Sequence, residues 1–195
     1  MSQAYNTKYT DRNFTVSVAG YFANQLVASN WNVYWQGTNV TSGIGSGAQG
    51  TVTIVPEMPQ EPELIILPKS TPKTQQEVIV PVFAVHILEQ PTEEIRVGLG
   101  DAEFRNRVIL VIEGFTQDKA SHMAFATLIR TYFRPEFRIP IYDWEGNSVT
   151  PNLIDYANTY VDHRQIERAE FPDLPQPVRY YINAAISIVY FDTDI

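Results

Sequence analysis

The run from Asn106 to Trp144 constrains this chain most, because it reads as strand, helix and strand in immediate succession. Val108, Leu110 and Ile112 alternate with Ile109, Val111 and Glu113. Both sets are mostly apolar, which places the strand inside a sheet rather than at its edge. Gly114 and Thr116 are expected to break it, with Thr116 as N-cap of the helix that follows. Phe125, Leu128, Ile129, Tyr132 and Phe133 then fall on one helical face. Asp118 lies in the first turn and Arg130 and Arg134 in the last, as the helix dipole favours. Pro135 stops the helix by disfavouring helical geometry in the residue before it. Phe137, Ile139 and Ile141 alternate again, and Asp143-Trp144-Glu145-Gly146-Asn147 reads as a turn. Such a segment has to pack a helix against a sheet.

The flanking sequence extends this picture. Thr10-Asp11-Arg12 reads as a helix start, and Phe14, Val18, Phe22 and Leu26 form a stripe that runs to about Ser29. Thr15, Val16 and Val18 lower the intrinsic helix propensity, so packing must hold that helix. Trp31, Val33 and Trp35 alternate with Asn32, Tyr34 and Gln36 as a short strand, and residues 51–55 and 64–67 read as two more. In the apolar run 78–88, Pro81 removes a ladder donor, which predicts an edge position or a bulge there. Thr150-Pro151 reads as N-cap and first residue of a short helix over residues 152–158. Residues 160–170 are charged and fit neither periodicity, and Pro172, Pro175 and Pro177 mark an extended connection. The stretch 180–191 is a strand with Ile182, Ala184, Ile186 and Ile188 on one face.

The expected fold is therefore α+β: a mixed, mostly antiparallel β-sheet with an N-terminal helix and a central amphipathic helix packed on it, in one domain over residues 1–195. Three polar, irregular segments are expected to be flexible or to project from it. They are the glycine- and serine-rich connection 37–50, the hairpin loop or exposed arm 68–77, and the turn or small hairpin 90–105.

Composition narrows the function classes. Hydrophobic residues make up 44% of the 195, charged residues 18% and aromatic residues 12%, which argues against disorder. The net charge of −8 disfavours a nucleic-acid grip, which leans on lysine and arginine to neutralise phosphates. It suits a surface past which DNA slides without sticking. The absence of cysteine excludes disulfides, thiol catalysis and thiolate metal sites. No signal-peptide pattern opens the sequence and no apolar run reaches membrane-spanning length, so a soluble protein of a cytoplasm, without membrane contact, is expected. In that compartment the sequons at Asn13 and Asn39 carry no weight.

Short chemical motifs are weak throughout. Gly45-Ser46-Gly47-Ala48-Gln49-Gly50 is a formal G-x-G-x-x-G, but β-branched residues 51–55 follow where a helix would have to open. His86, His122 and His163 have no second histidine at ligand spacing, and Asp162-His163 with Asp155 reads as solvated polar residues. No G-x-S-x-G elbow is present. Glu93-Glu94 and the Asp192, Asp194 pair read as turn and terminus chemistry, although a glycosidase pair need not be close in sequence. No catalytic, cofactor-binding or metal residue is assigned, and no enzyme is expected. Trp31, Tyr34 and Trp35 would make a platform for stacking on sugars; the favoured reading has Trp31 and Trp35 covering the sheet beside the first helix.

The order of these elements resembles the tail-terminator (head–tail joining) proteins of tailed bacteriophages. The resemblance is one of pattern from Thr10 onward, carried by VPVFAVHIL, RNRVILVIEGFTQDKASHMAFATLIRTYF, RIPIYDW and RYYINAAISIVYFD. It implies a homo-oligomeric ring, usually a hexamer, that caps the tail tube and meets the head connector, with a central hole for DNA. The implied partners are further copies of the chain, the tail-tube protein and the head-connector or neck proteins. DNA would pass without specific binding, and no cofactor is involved. The implied place is the virion tail or neck, after synthesis in the host cytoplasm. A closed ring of one sequence needs two different matching surfaces on each subunit. The irregular segments offer Ser42, Gly45, Gly47, Gln49, Lys69, Lys73, Glu93, Glu94 and Arg96 as candidate subunit-interface residues. Two other readings stay open: another tail component, of tube or baseplate, and a carbohydrate-binding β-rich domain in which Trp31, Trp35 and Trp144 would converge in one groove.

Overall fold

The structure, a computed structural model, describes residues 11–35, 50–88, 93–96, 102–142 and 152–192. Helix α1 (Asp11–Ala28) buries Phe14, Val18, Phe22 and Leu26, as its stripe predicts. Asn13, Ser17, Ala19 and Ala23 are buried as well, so packing reaches well beyond the stripe. The helix closes in a Schellman turn. Asn30 adopts φ 67, and the amides of Asn30 and Trp31 donate to Val27 O at 2.9 Å and Leu26 O at 3.0 Å.

The strands follow as β1 (Asn32–Trp35), β2 (Thr51–Val55), β3 (Ile65–Ile66), β4 (Val78–Ile79), β5 (Val82–Leu88), β6 (Glu93–Arg96) and β7 (Ala102–Thr116). After helix α2 (Lys119–Tyr132) come β8 (Glu136–Tyr142), β9 (Leu153–Glu170) and β10 (Tyr180–Asp192). The main sheet runs β1-β2-β5-β7-β10-β9-β8, with β6 also on β7. β1, β2 and β5 pair in parallel and the remaining ladders of this sheet are antiparallel, so the fold is α+β with a mixed, mostly antiparallel sheet.

β7 lies between β5 and β10, as its two apolar faces require. It does not break at Gly114, which pairs with both Phe83 and Ile182. Glycine is needed there for space: a Cβ would lie 2.3 Å from Phe83 Cδ1 and 2.4 Å from Val82 O. The N-cap of α2 is Asp118 rather than Thr116, since Asp118 Oδ1 accepts from the Ser121 amide at 2.8 Å. Thr116 is instead the buried last residue of β7.

Other local signals lost to tertiary context. Pro81 marks neither an edge nor a bulge; it divides the apolar run into β4 and an interior β5. Its missing donor costs nothing, because pairing of β5 with β2 begins at Val82 and the Pro81 carbonyl accepts from the Thr53 amide at 2.8 Å. Residues 153–158 form the start of β9 and not a helix, and the ambiguous stretch 160–170 continues the same strand. Segment 68–77 is no hairpin, because the strands it joins, β3 and β4, are parallel; residues 68–76 are exposed. Within 90–105 a small hairpin does form, β6 pairing antiparallel with Ala102–Arg105.

Both helices pack on one face. α2 sits on β10, β7 and β9, whereas α1 touches β5 and both edge strands, β8 and β1. A flat seven-strand sheet with strands about 4.8 Å apart would be about 29 Å wide, and a helix lying across it to reach both edges would also pack along its middle strands, which are met by α2 instead. The sheet is therefore curled round α1, and the Tyr142 amide donates to Ser17 Oγ at 3.0 Å across that seam. The concave side holds the main core, with Phe22, Phe83, Phe125 and Phe133 fully buried. A second, smaller core lies on the convex side at one end, where β3 and β4 cover Val82 and Ala84 with Ile65, Val78 and Val80. Among the described residues no helix is long and apolar enough to cross a membrane.

Candidate interaction face

Among the described residues, no α-helix packs on the rest of the convex side. Strand parity sorts its residues: Ile112 and Ile182 point into the main core, so Val111, Glu113, Tyr181 and Asn183 point outward. Two cross-strand rows define the centre. One holds Glu113 of β7, Asn183 of β10 and Glu167 of β9; the next holds His86 of β5, Val111, Ala185 and Gln165. A third row adds Leu88, Ile109 and Ser187. Val111, Ile109 and Ala185 are half-buried and Leu88 is 53% exposed, in contrast to the sealed concave side. Towards β8 the face ends in exposed Tyr160 and Tyr156, the latter with the Arg138 guanidinium 4.2 Å above its ring centroid.

A polar clamp sits in this apolar frame. His86 Nε2 lies 3.0 Å from Glu113 Oε1, and the Tyr181 hydroxyl donates to Glu113 Oε2 at 2.9 Å. Burial, and then the hydrogen bond and charge of Glu113, push the Tyr181 phenol up to about 12, so it stays a neutral donor. Directly opposite Glu113, Asn183 Oδ1 is buried without a hydrogen-bond partner. Gln165 Nε2 donates to Glu167 Oε1 at 2.6 Å, which fixes the second carboxylate of the row. The clamp thus engages both oxygens of Glu113, one with His86 and one with Tyr181.

His122 and Trp31 have structural contacts, and the side chains of Asp155, Asp162 and His163 lie outside the described residues. His122 is buried, and its Nε2–H donates to Tyr181 O at 3.0 Å. Burial lowers its pKa, so it serves as a neutral strut between α2 and β10. Trp31 packs on Phe125 with ring centroids 4.8 Å apart, the core-covering role expected of it and a poor start for a sugar groove. Tyr34 is exposed; the Trp35 side chain and Trp144 lie outside the described residues. No cluster of three metal-ligating side chains occurs among the described residues. An open cleft of about 520 Å³ lies between residues 55–64 and 75–78, with Val55, Met58, Leu64 and Val78 below a rim that includes Glu57 and Glu61. None of the buried polar atoms without a partner belongs to its lining.

The candidate interface residues of the sequence are scattered. Ser42, Gly45, Gly47 and Gln49 lie outside the described residues. Lys69 and Lys73 are exposed on the connection from β3 to β4, and Glu93, Glu94 and Arg96 belong to β6 on the rim of β7. None of these falls in the central rows of the convex face. Glu113, Asn183 and Glu167 were missed by sequence reasoning. The available signal was a polar residue with outward parity inside an otherwise apolar strand, as in RVILVIEGF and YINAAISI.

No protein-family model matches this sequence, and no curated protein matches it.

Proposed function

We propose that the chain works by binding and not by catalysis, as the subunit of a ring that caps a phage tail tube and joins it to the head connector. The observation that carries this reading is the convex side of the sheet, where half-buried Ile109, Val111 and Ala185 and exposed Leu88 lie under no α-helix among the described residues, opposite a concave side on which both helices pack. An apolar surface framed by polar groups is the usual form of a docking site. The exposed 68–76 connection and the β6–β7 hairpin supply further, chemically different surfaces, as a closed heterologous ring requires. The helix-on-sheet architecture and the net charge of −8 fit the same part, the latter as a lining that lets DNA pass.

The test is the solution mass by light scattering on a sizing column, with negative-stain images of the same peak. Closed rings of about six subunits with a central hole support the terminator reading. Open tubes of indefinite length assign the chain to the tail tube instead. A monomer that also fails to bind added tail tubes removes the proposal.

A further inference from the structure

The centre of the convex face has a sign. Glu113, Asn183 and Glu167 form a row across three adjacent strands, two carboxylates with an amide between them. The Asn183 acceptor is already withdrawn from solvent and unpaired, a cost that a donor arriving from outside would remove. No arginine or lysine side chain described on this face lies in the row; Arg138 is held over Tyr156 on β8 and β9, and Arg164 and Arg168 have the opposite parity. His86 and Tyr181 each take one contact on Glu113, at Oε1 and Oε2, which leaves further acceptor capacity on each oxygen. Around the row stand Val111, Ala185, Ile109 and Phe115, which would exclude water from whatever seats there.

We propose that this row receives an arginine or lysine side chain, presented between apolar residues by a protein partner other than a second copy of this chain. A partner's cation finds two carboxylates and an unfilled acceptor at the middle of an apolar frame, the position where interface anchors concentrate. Five strands about 4.8 Å apart and roughly seven residues deep offer roughly 550 Å² in plan, the scale of one side of a standard interface at about 800 Å² of accessible area. A second copy carries the same net charge of −8, so like-charge repulsion favours a basic partner. The inference rests on the reading of this face as a docking surface, and not on ring closure.

The experiment uses the full chain and fluorescence anisotropy with a labelled hexapeptide of alternating arginine and leucine, against its glutamate–leucine counterpart. Saturable binding of the basic peptide alone is expected, weakening as salt is raised. The double variant Glu113→Gln with Glu167→Gln should weaken it by about fivefold or more. Glu57→Gln with Glu61→Gln removes the same charge at the cleft rim and should leave it unchanged. Val111→Lys, which keeps both acids and sets a cation beside the row, should abolish it; far-UV circular dichroism of each variant checks folding. Absence of saturable binding, or equal weakening by the two glutamine pairs, overturns the proposal. So does loss of self-assembly in Val111→Lys without any effect on the peptide, which would give the face to a second copy. Failure to form rings with peptide binding intact would remove the terminator reading and leave this one standing.

Discussion

Ile112 and Val111 are neighbours in β7, and they belong to two different parts of the molecule. Ile112 is fully buried beneath the helices, in a core where Phe22, Phe83 and Phe125 meet at ring distances of 5.8 and 5.0 Å. Val111 faces outward beside the His86–Glu113–Tyr181 clamp. The concave side is closed, apolar and interlocked, and it holds the fold together. The convex side is broad and mixed in polarity, no α-helix among the described residues covers it, and its half-exposed apolar residues contribute less to stability. A two-residue period lets one strand serve both ends without compromise. Stability and recognition can then vary separately along the same segment.

That division makes ordered predictions. Ile112→Ala should cost about 3–4 kcal/mol in chemical denaturation, whereas Val111→Ala next to it should cost about 1 kcal/mol or less. Equal costs would break the distinction between the faces. Gly114→Ala should cost about 2–3 kcal/mol, because the added methyl meets the backbone of Val82 and the fully buried Phe83 ring. Asp118→Ala should cost about 1 kcal/mol through the lost N-cap. The Ser121 amide lowers the Asp118 pKa below its ordinary 3.8. The wild-type advantage over Asp118→Ala is thus full above about pH 4 and shrinks as pH falls through the depressed folded value. Melts of both proteins from pH 7 down to 2 would read this directly. The smallest effect belongs to the open face: Tyr181→Phe should cost less than about 1 kcal/mol. It should also remove one phenol that titrates near 12 in ultraviolet difference spectra. The raised value stabilises the folded state fully below the ordinary phenol pKa of about 10, and that contribution is lost as pH rises through the folded value.

The sequence spoke clearly wherever one periodicity decided the outcome. The α1 stripe, alternating β8 and the closing β10 bury the residues their spacing selects, and so does the α2 face apart from half-buried Leu128. It misled where a local signal competed with pairing. Thr150-Pro151 resembles a helix start, yet Ala157 and Thr159 face the core from β9 because β8 and β10 offer two ladders to pair with. Small inward residues and outward Tyr156, Asn158 and Tyr160 erased the alternation that would have marked the strand. Pro81 read as an edge because its own chemistry says so, and only β2 arriving from another part of the chain shows that β5 is interior. The clamp was invisible for the same reason: its members lie 27 and 68 residues apart and meet only through register.

The place of β10 has a consequence in time. It is the strand that joins β7 to β9, and the chain supplies it after both. Until it inserts, the β2-β5-β7 half and the β9-β8 half are separate ribbons, each with one long unpaired ladder of donors and acceptors. The pairing of β10 with β9 is a local hairpin, Tyr180 opposite Glu170, but its pairing with β7, Tyr180 opposite Thr116, is non-local and slow, since loop closure is opposed by entropy before any contact rewards it. Joining the two halves, β10 on β7, thus closes a long loop, and until it closes the β7 ladder is open to pairing with the wrong neighbour.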